Sequence, residues 1–130
     1  MRFIHTSDWH IGRQLHNQSL LDDQAYVLYQ IVAFAQQHSV DAVIIAGDIY
    51  DRSIPPASAV ALLNDVLNRL INQLGIQVLM IAGNHDGHER LGFAAKQMAA
   101  SGLHIIGPLQ AELVPIRLTS ASGDAYFYPL

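Results

Sequence analysis

Two residues able to hold a cation stand two positions apart in the stretch "SDWHIG": Asp8 and His10. Residues i and i+2 of an extended chain point to one side. A carboxylate and an imidazole therefore converge there, and such a pair is a simple start to a metal site. Taken alone, D-x-H is a weak pattern that reads more readily as a polar loop, with Asp8 capping a turn and His10 in water. Two further stretches have the same character. "GDIYD" spans Gly47 to Asp51, with carboxylates at Asp48 and Asp51, and "GNHD" spans Gly83 to Asp86, with Asn84 and His85 at its centre. G-D and G-N are ordinary loop dipeptides. Three such signatures, each directly after a short apolar run, are not ordinary. They gather carboxylates, imidazoles and a carboxamide where a buried strand would have continued with apolar residues. Gly47 and Gly83 let the backbone turn sharply and approach whatever is bound.

The elements that must position these residues are legible from periodicity. "RFIHTS", "VDAVIIAG" and "IQVLMIAG" are short and rich in β-branched residues. The second and third are continuously hydrophobic, as strands covered on both faces are. In "DDQAYVLYQIVAFAQQHS" Leu28, Ile31, Val32 and Ala35 recur at helical spacing. Ala59, Leu62, Leu63, Val66, Leu67, Leu70 and Leu74 form a second helical stripe, opened by Pro55 and Pro56 and closed by Gly75. A third helix is expected from about Glu89 to Ala100, a fourth strand in "LHII", and two strands around a Ser/Gly/Asp turn after Pro115. The order β-α-β-α-β-α-β followed by a hairpin predicts an α/β fold with a mainly parallel sheet and right-handed crossovers. Ligands of such sheets bind outside the carboxyl ends of the strands, and all three polar signatures sit at such ends.

Composition narrows the function. A chain of 130 residues, half of them hydrophobic and 14% charged, is one domain with a substantial core. Its net charge of −4 excludes a self-sufficient nucleic-acid binder, which would be basic. Nucleic acid, if handled, requires positive charge from a metal or a partner. There is no cysteine, so thiolate zinc sites and disulfides are excluded, and a reducing cytoplasm fits. No run approaches the roughly 20 apolar residues of a membrane span.

D-x-H, G-D-x-x-D and G-N-H-D together resemble the leading half of the calcineurin-like metallophosphoesterase signature, over nearly all of the chain. The form of the first motif, with Trp9 and the continuation "HIG", resembles the nuclease branch of that family. The resemblance implies a β-sandwich flanked by helices, of which residues 1–130 are the N-terminal part. It implies phosphodiester hydrolysis at DNA ends, by exonuclease and endonuclease action in break and hairpin processing, beside an ATPase subunit of the SMC type. Two divalent ions are implied; oxygen and imidazole ligands without thiolate suit manganese, iron or zinc, and the resemblance to the nuclease branch puts manganese first. On the matching positions Asp8 and His10 hold the first ion, Asp48 bridges both, and Asn84 offers an amide oxygen to the second. His85 faces the scissile phosphate as the leaving-group acid, and Asp51 orients its ring.

The family's site also draws on later histidines, one isolated and then a G-H-x-H, and no histidine follows His104. The reading therefore expects the front half of a site in a piece of a longer protein, inactive alone, without the capping and partner-binding regions. It expects a homodimer through the second and third helices. The competing readings are a stand-alone phosphatase or cyclic-nucleotide phosphodiesterase of the same fold, and a non-catalytic interaction module. Of the remaining histidines, His5 reads as a packed strand residue, His38 as a helix end and His104 as structural, while His16 and His88 are candidates to line the cleft.

Overall fold

The structure is a computed structural model in which residues 1–83, 100–106 and 114–129 are described. Four parallel strands form its sheet in the order β1-β4-β5-β6: β1 Phe3–Thr6, β4 Ala42–Ala46, β5 Gln77–Ile81 and β6 Leu103–Ile106. Between β1 and β4 lie a small ribbon, β2 Gln14–Leu15 and β3 Gln18–Ser19, and the helix α1 Leu21–Gln37. Helix α2, Ala57–Asn68, connects β4 to β5. A separate hairpin, β7 Ile116–Leu118 and β8 Ala125–Phe127, follows. The expected third helix and the signature residues Asn84, His85 and Asp86, with His88, lie outside the described residues.

Register explains the burial. Ile4 pairs with Val43, Val43 with Val78, and Val78 with Leu103; two residues on, Thr6, Ile45, Met80 and Ile105 form a second row. These rows share one face and pack against Leu28, Val32 and Ala35 of α1 and Ala59, Leu62, Leu63 and Val66 of α2. Both helices thus cover one side of the sheet. The alternate rows, with Phe3, Ala42, Ile44 and Leu79, turn to the other side. There Phe3 meets Phe127 edge-on at 5.5 Å, and Gln77 Nε2 donates to the carbonyl of Thr119 at 2.7 Å. His5 occupies this outer face on the edge strand and is exposed, a correction to its reading as a packed residue. His104 is half-buried on the same face, and burial holds its imidazole pKa down.

Helix ends follow local chemistry. Pro56, extended at ψ 154°, precedes the first turn of α2, and its carbonyl accepts from the amides of Ala59 and Val60. After α1 the left-handed position falls on Ser39 (φ 48°), and the Val40 amide reaches back to the Ala35 carbonyl in a Schellman-type closure. The periodicity predicts one α-helix through Leu74, but the last turn, Arg69–Gln73, is π-helical. The wide turn keeps Leu70 fully buried while Gly75, at φ 68°, ends the helix. The ribbon β2–β3 carried no apolar pattern. It forms because His16 and Asn17 both take positive φ, 48° and 61°, the conformation that a tight two-residue hairpin demands. No helix among the described residues is long and apolar enough to cross a membrane.

Helices α1 and α2 are tied at their surface. The Tyr29 hydroxyl and Arg69 Nε both donate to Asp65 Oδ2 at 2.8 Å, and the Arg69 guanidinium lies 4.4 Å from the Tyr29 ring centroid. The Tyr29 hydrogen bond, then Arg69, holds the Asp65 carboxyl below its ordinary 3.8, and the Asp65 acceptor holds the Tyr29 phenol above 10.0. A depressed carboxyl contributes stability above its unfolded value and loses it as pH falls through the folded one; a raised phenol contributes below its unfolded value and loses it as pH rises. Asp65→Asn should therefore lower the unfolding free energy by a pH-independent amount between about pH 5 and 9. Solvent screening keeps that amount under about 1 kcal/mol, since both side chains are about two-fifths exposed. The difference from the parent should shrink below pH 4, measured by urea titration; a constant difference down to pH 2 would refute the pairing.

Candidate metal centre

The first two signatures meet because the backbone keeps pairing after β1 and β4 have ended. The amides of Asp8, His10 and Ile11 donate to the carbonyls of Gly47, Asp48 and Ile49 at 3.2, 2.9 and 2.9 Å, and the Asp51 amide donates to Ile11 at 3.2 Å. Ile11 and Tyr50 form a parallel bridge. This is not regular strand: Asp8, His10 and Asp48 adopt φ 57°, 44° and 48°, and Gly47 and Gly12 take 83° and 93°. Left-handed geometry costs a non-glycine residue roughly 1–2 kcal/mol. Burial of Ile11 and Ile49, both at 0% exposure, returns roughly 1.5–3 kcal/mol each. The hydrogen bonds between the loops tip the balance. Inward isoleucines and outward ligand candidates are thus two results of one backbone course.

Asp8, His10 and Asp48 each offer a ligand atom within 4.8 Å of the others. His10 Nε2 lies 3.8 Å from Asp8 Oδ1 and 4.0 Å from Asp48 Oδ2. Donors sharing a cation at bonds of roughly 2.0–2.2 Å stand roughly 3–4 Å apart, so the spacing fits a divalent ion. The donor set, one imidazole nitrogen and carboxylate oxygens, suits manganese, iron or zinc. Asp8 is largely exposed and hydrogen-bonded by the Ser7 hydroxyl, whereas His10 and Asp48 are mostly enclosed.

Asp51 Oδ1 lies 3.7 Å from His10 Nδ1, on the far side of the ring from the cluster, and 4.0 Å from Arg13 Nε. Among the described residues the imidazole beside Asp51 is that of His10; its expected partner His85 and the ligand candidate Asn84 lie outside the described residues. Trp9 is buried, its indole donating to Thr6 Oγ1 at 3.0 Å, so it anchors the loop from inside.

The end of β5 closes on the same place. A Cβ on Gly47 would stand 3.2 Å from the Cα of Gly83, and one on Gly83 would overlap the amide nitrogen and Oδ1 of Asp48. Asp48 thus occupies the volume that any side chain at position 83 would need. The Gly12 backbone packs as tightly on the start of α2, where an added Cβ would meet Ala59 Cβ at 3.2 Å.

One participant is invisible to motif reading. Gln24, in the first turn of α1, hydrogen-bonds the backbone of the first loop at Trp9, His10 and Gly12. A polar residue on the inward side of an amphipathic helix was its available signal. His16 stands exposed at the ribbon's tip.

Residues 1–115 match the profile of the family described as calcineurin-like phosphoesterase. A protein of Staphylococcus epidermidis, named as the D component of the SbcCD nuclease, is 40% identical over 127 residues, covering 98% of this chain and 33% of its own length. Its namesake in Staphylococcus saprophyticus is 38% identical over 130 residues, covering 100% of this chain and 34% of its own. The chain thus spans about a third of the curated relatives it matches.

The Gly83 contact is directly testable. Gly83→Ala should displace Asp48, destabilise the fold by about 1–3 kcal/mol through overpacking, and weaken manganese binding as severely as Asp48→Ala. Calorimetric titration of the folded variants checks this, and a Gly83→Ala protein with parental affinity would contradict the placement of Asp48.

Proposed function

The chain belongs to the calcineurin-like phosphoesterase family, a family whose hydrolases use divalent metals, and we propose that it is the N-terminal part of the nuclease domain of an SbcCD-type D component. In this reading the complete protein is a cytoplasmic, manganese-dependent phosphodiesterase that cuts DNA at ends and hairpins beside an ATPase of the SbcC type. The observation that carries it is the convergence of Asp8, His10 and Asp48 at adjacent strand ends, within ligand distance of one another. Two named relatives at about 40% identity direct the family assignment to this branch.

The roles follow from chemistry and from the family resemblance. Asp8 and His10 would hold a first ion, Asp48 would share its two oxygens between a first and a second, and Asn84 would add a neutral oxygen to the second. When bound, the pair supplies a nucleophilic water at neutral pH and neutralises charge on the phosphate. His85 would hand a proton to the departing oxygen. Asp51 would hydrogen-bond the His85 ring, fix its tautomer and favour its charged form; among the described residues Asp51 lies 3.7 Å from His10 Nδ1, beyond hydrogen-bond length. The negative net charge leaves DNA attraction to the ions and to the ATPase partner. Pairing of two copies belongs to the same reading. On α2 it would use the side bearing Ser58, Ala61 and Asn64, because Leu62, Leu63, Val66 and Leu70 are committed to the core.

In the full-length protein, His85→Ala should lower turnover 10²–10⁴-fold while leaving bound manganese near the parental level, whereas Asp48→Ala should empty the site. Elemental analysis beside a nuclease assay checks this division; equal metal loss in both variants would refute it. The 130-residue chain alone should hold at most one weakly bound ion, because two close cations need more ligands to offset their repulsion. It should show no manganese-dependent cleavage of linear duplex DNA. Robust turnover abolished by Asp48→Ala would show that ligands from elsewhere are dispensable.

A further inference from the structure

We propose that Gln24 is the positioning residue of this centre: its side-chain amide, reaching from α1, holds the backbone on both sides of His10 in the left-handed geometry that aims the imidazole at Asp8 and Asp48. The inference rests on the cation-binding reading above and assigns a role to a residue outside the three signatures.

Gln24 Nε2 donates to the carbonyl of Trp9 at 3.1 Å and to that of His10 at 2.8 Å, while Oε1 accepts from the Gly12 amide at 3.0 Å. The Trp9 carbonyl lies in the peptide plane preceding the His10 Cα, and the His10 carbonyl in the plane following it. One plane sets φ of His10 and the other sets ψ. Two hydrogen bonds from a single NH₂ group therefore restrain both torsions, at a residue whose φ of 44° lies in a region L-amino acids occupy only rarely. The third bond fixes the next plane, at Gly12. Meanwhile the His10 and Ile11 amides are engaged by the second loop, so the Trp9 and His10 carbonyls in the same two planes turn the opposite way, towards α1; the His10 carbonyl also accepts from the Arg13 amide at 3.1 Å.

Only one common side chain fits this demand. The half-buried amide must present two donors and one acceptor at the reach of two methylenes. Glutamate keeps the length and the acceptor but sets a carboxylate against two carbonyls. Methionine keeps the shape and offers neither. Released from the clamp, His10 is favoured to leave the left-handed region, and its Cα–Cβ bond swings away from the cluster. Because Gln24 belongs to the first turn of α1, its amide donating to Leu20 at 2.9 Å, the helix and the ligand loop move as one piece.

The test is a double-mutant cycle on the full-length protein. Manganese affinity is read from free-ion electron paramagnetic resonance, beside the unfolding midpoint, for the parent, Gln24→Met, His10→Gln, the double variant and Asp48→Ala. Gln24→Met should weaken binding roughly 10–100-fold, as outer partners of metal ligands do, under conditions where the protein is folded. In the His10→Gln background the same change should matter less than roughly threefold, because the group it positions is gone. Equal losses in both backgrounds would mark general structural support and overturn the proposal, as would parental affinity in Gln24→Met. If Gln24→Met does not fold, Gln24→Glu is judged by the same comparison. If Asp48→Ala and His10→Gln bind manganese like the parent, the cation reading is what has failed. Amide exchange in the metal-free protein then decides the clamp: faster exchange at Gly12 with Ile45 unchanged supports it, and unchanged exchange at Gly12 overturns it.

Discussion

Pairing of two loops beyond the sheet is the constraint on which the centre depends. Parallel strands normally diverge at their carboxyl ends, each turning into its own crossover. Here the amides of Asp8, His10 and Ile11 continue to find carbonyls on the neighbouring chain segment, at Gly47, Asp48 and Ile49. That separates the two functions of the segment. Ile11 and Ile49 go inward and are wholly buried, while the residues beside them are twisted outward by positive φ. Strained backbone of this kind persists only where surrounding contacts over-determine it, and the buried isoleucines, the Trp9 indole and the Gln24 amide supply those contacts.

Charge and volume work against each other at the same spot. Asp8, Asp48 and Asp51 surround a single imidazole, and Arg13 Nε lies 4.0 Å from Asp51. Carboxylates this close repel, and a divalent ion among them would convert the repulsion into binding energy. Crowding comes from the opposite direction. With Gly47 against Gly83, the ends of β4 and β5 approach more closely than any residues with side chains allow, and Asp48 fills the gap. The glycines thus act as a spatial allowance for a carboxylate rather than as flexible joints.

How much of this was legible in the sequence varies with the range of the interaction. The strands, both described helices and the convergence of Asp8, His10 and Asp48 follow from apolar periodicity and from motif position at strand ends, because those are local signals amplified by a regular topology. The β2–β3 ribbon was not visible, since its determinant is the left-handed tolerance of His16 and Asn17 rather than any apolar alternation. His5 was misread because alternation places it on a face but cannot say what covers that face. Gln24 escaped for a related reason. Its partners are backbone groups 12 to 15 residues away, and a backbone carbonyl leaves no trace in the residue alphabet.

The π-helical turn at Arg69–Gln73 has a consequence for comparing this chain with its relatives. Such a turn accommodates one residue more than the α-helix it interrupts. Removing any one of the five would let α2 close in regular α geometry, with the strand that follows unchanged in its place. Alignments should therefore admit a one-residue gap between Asn68 and Leu74 without disturbing the register of Val78 and Met80. The same gap moved a few positions later, into β5, would exchange the two faces of a central strand.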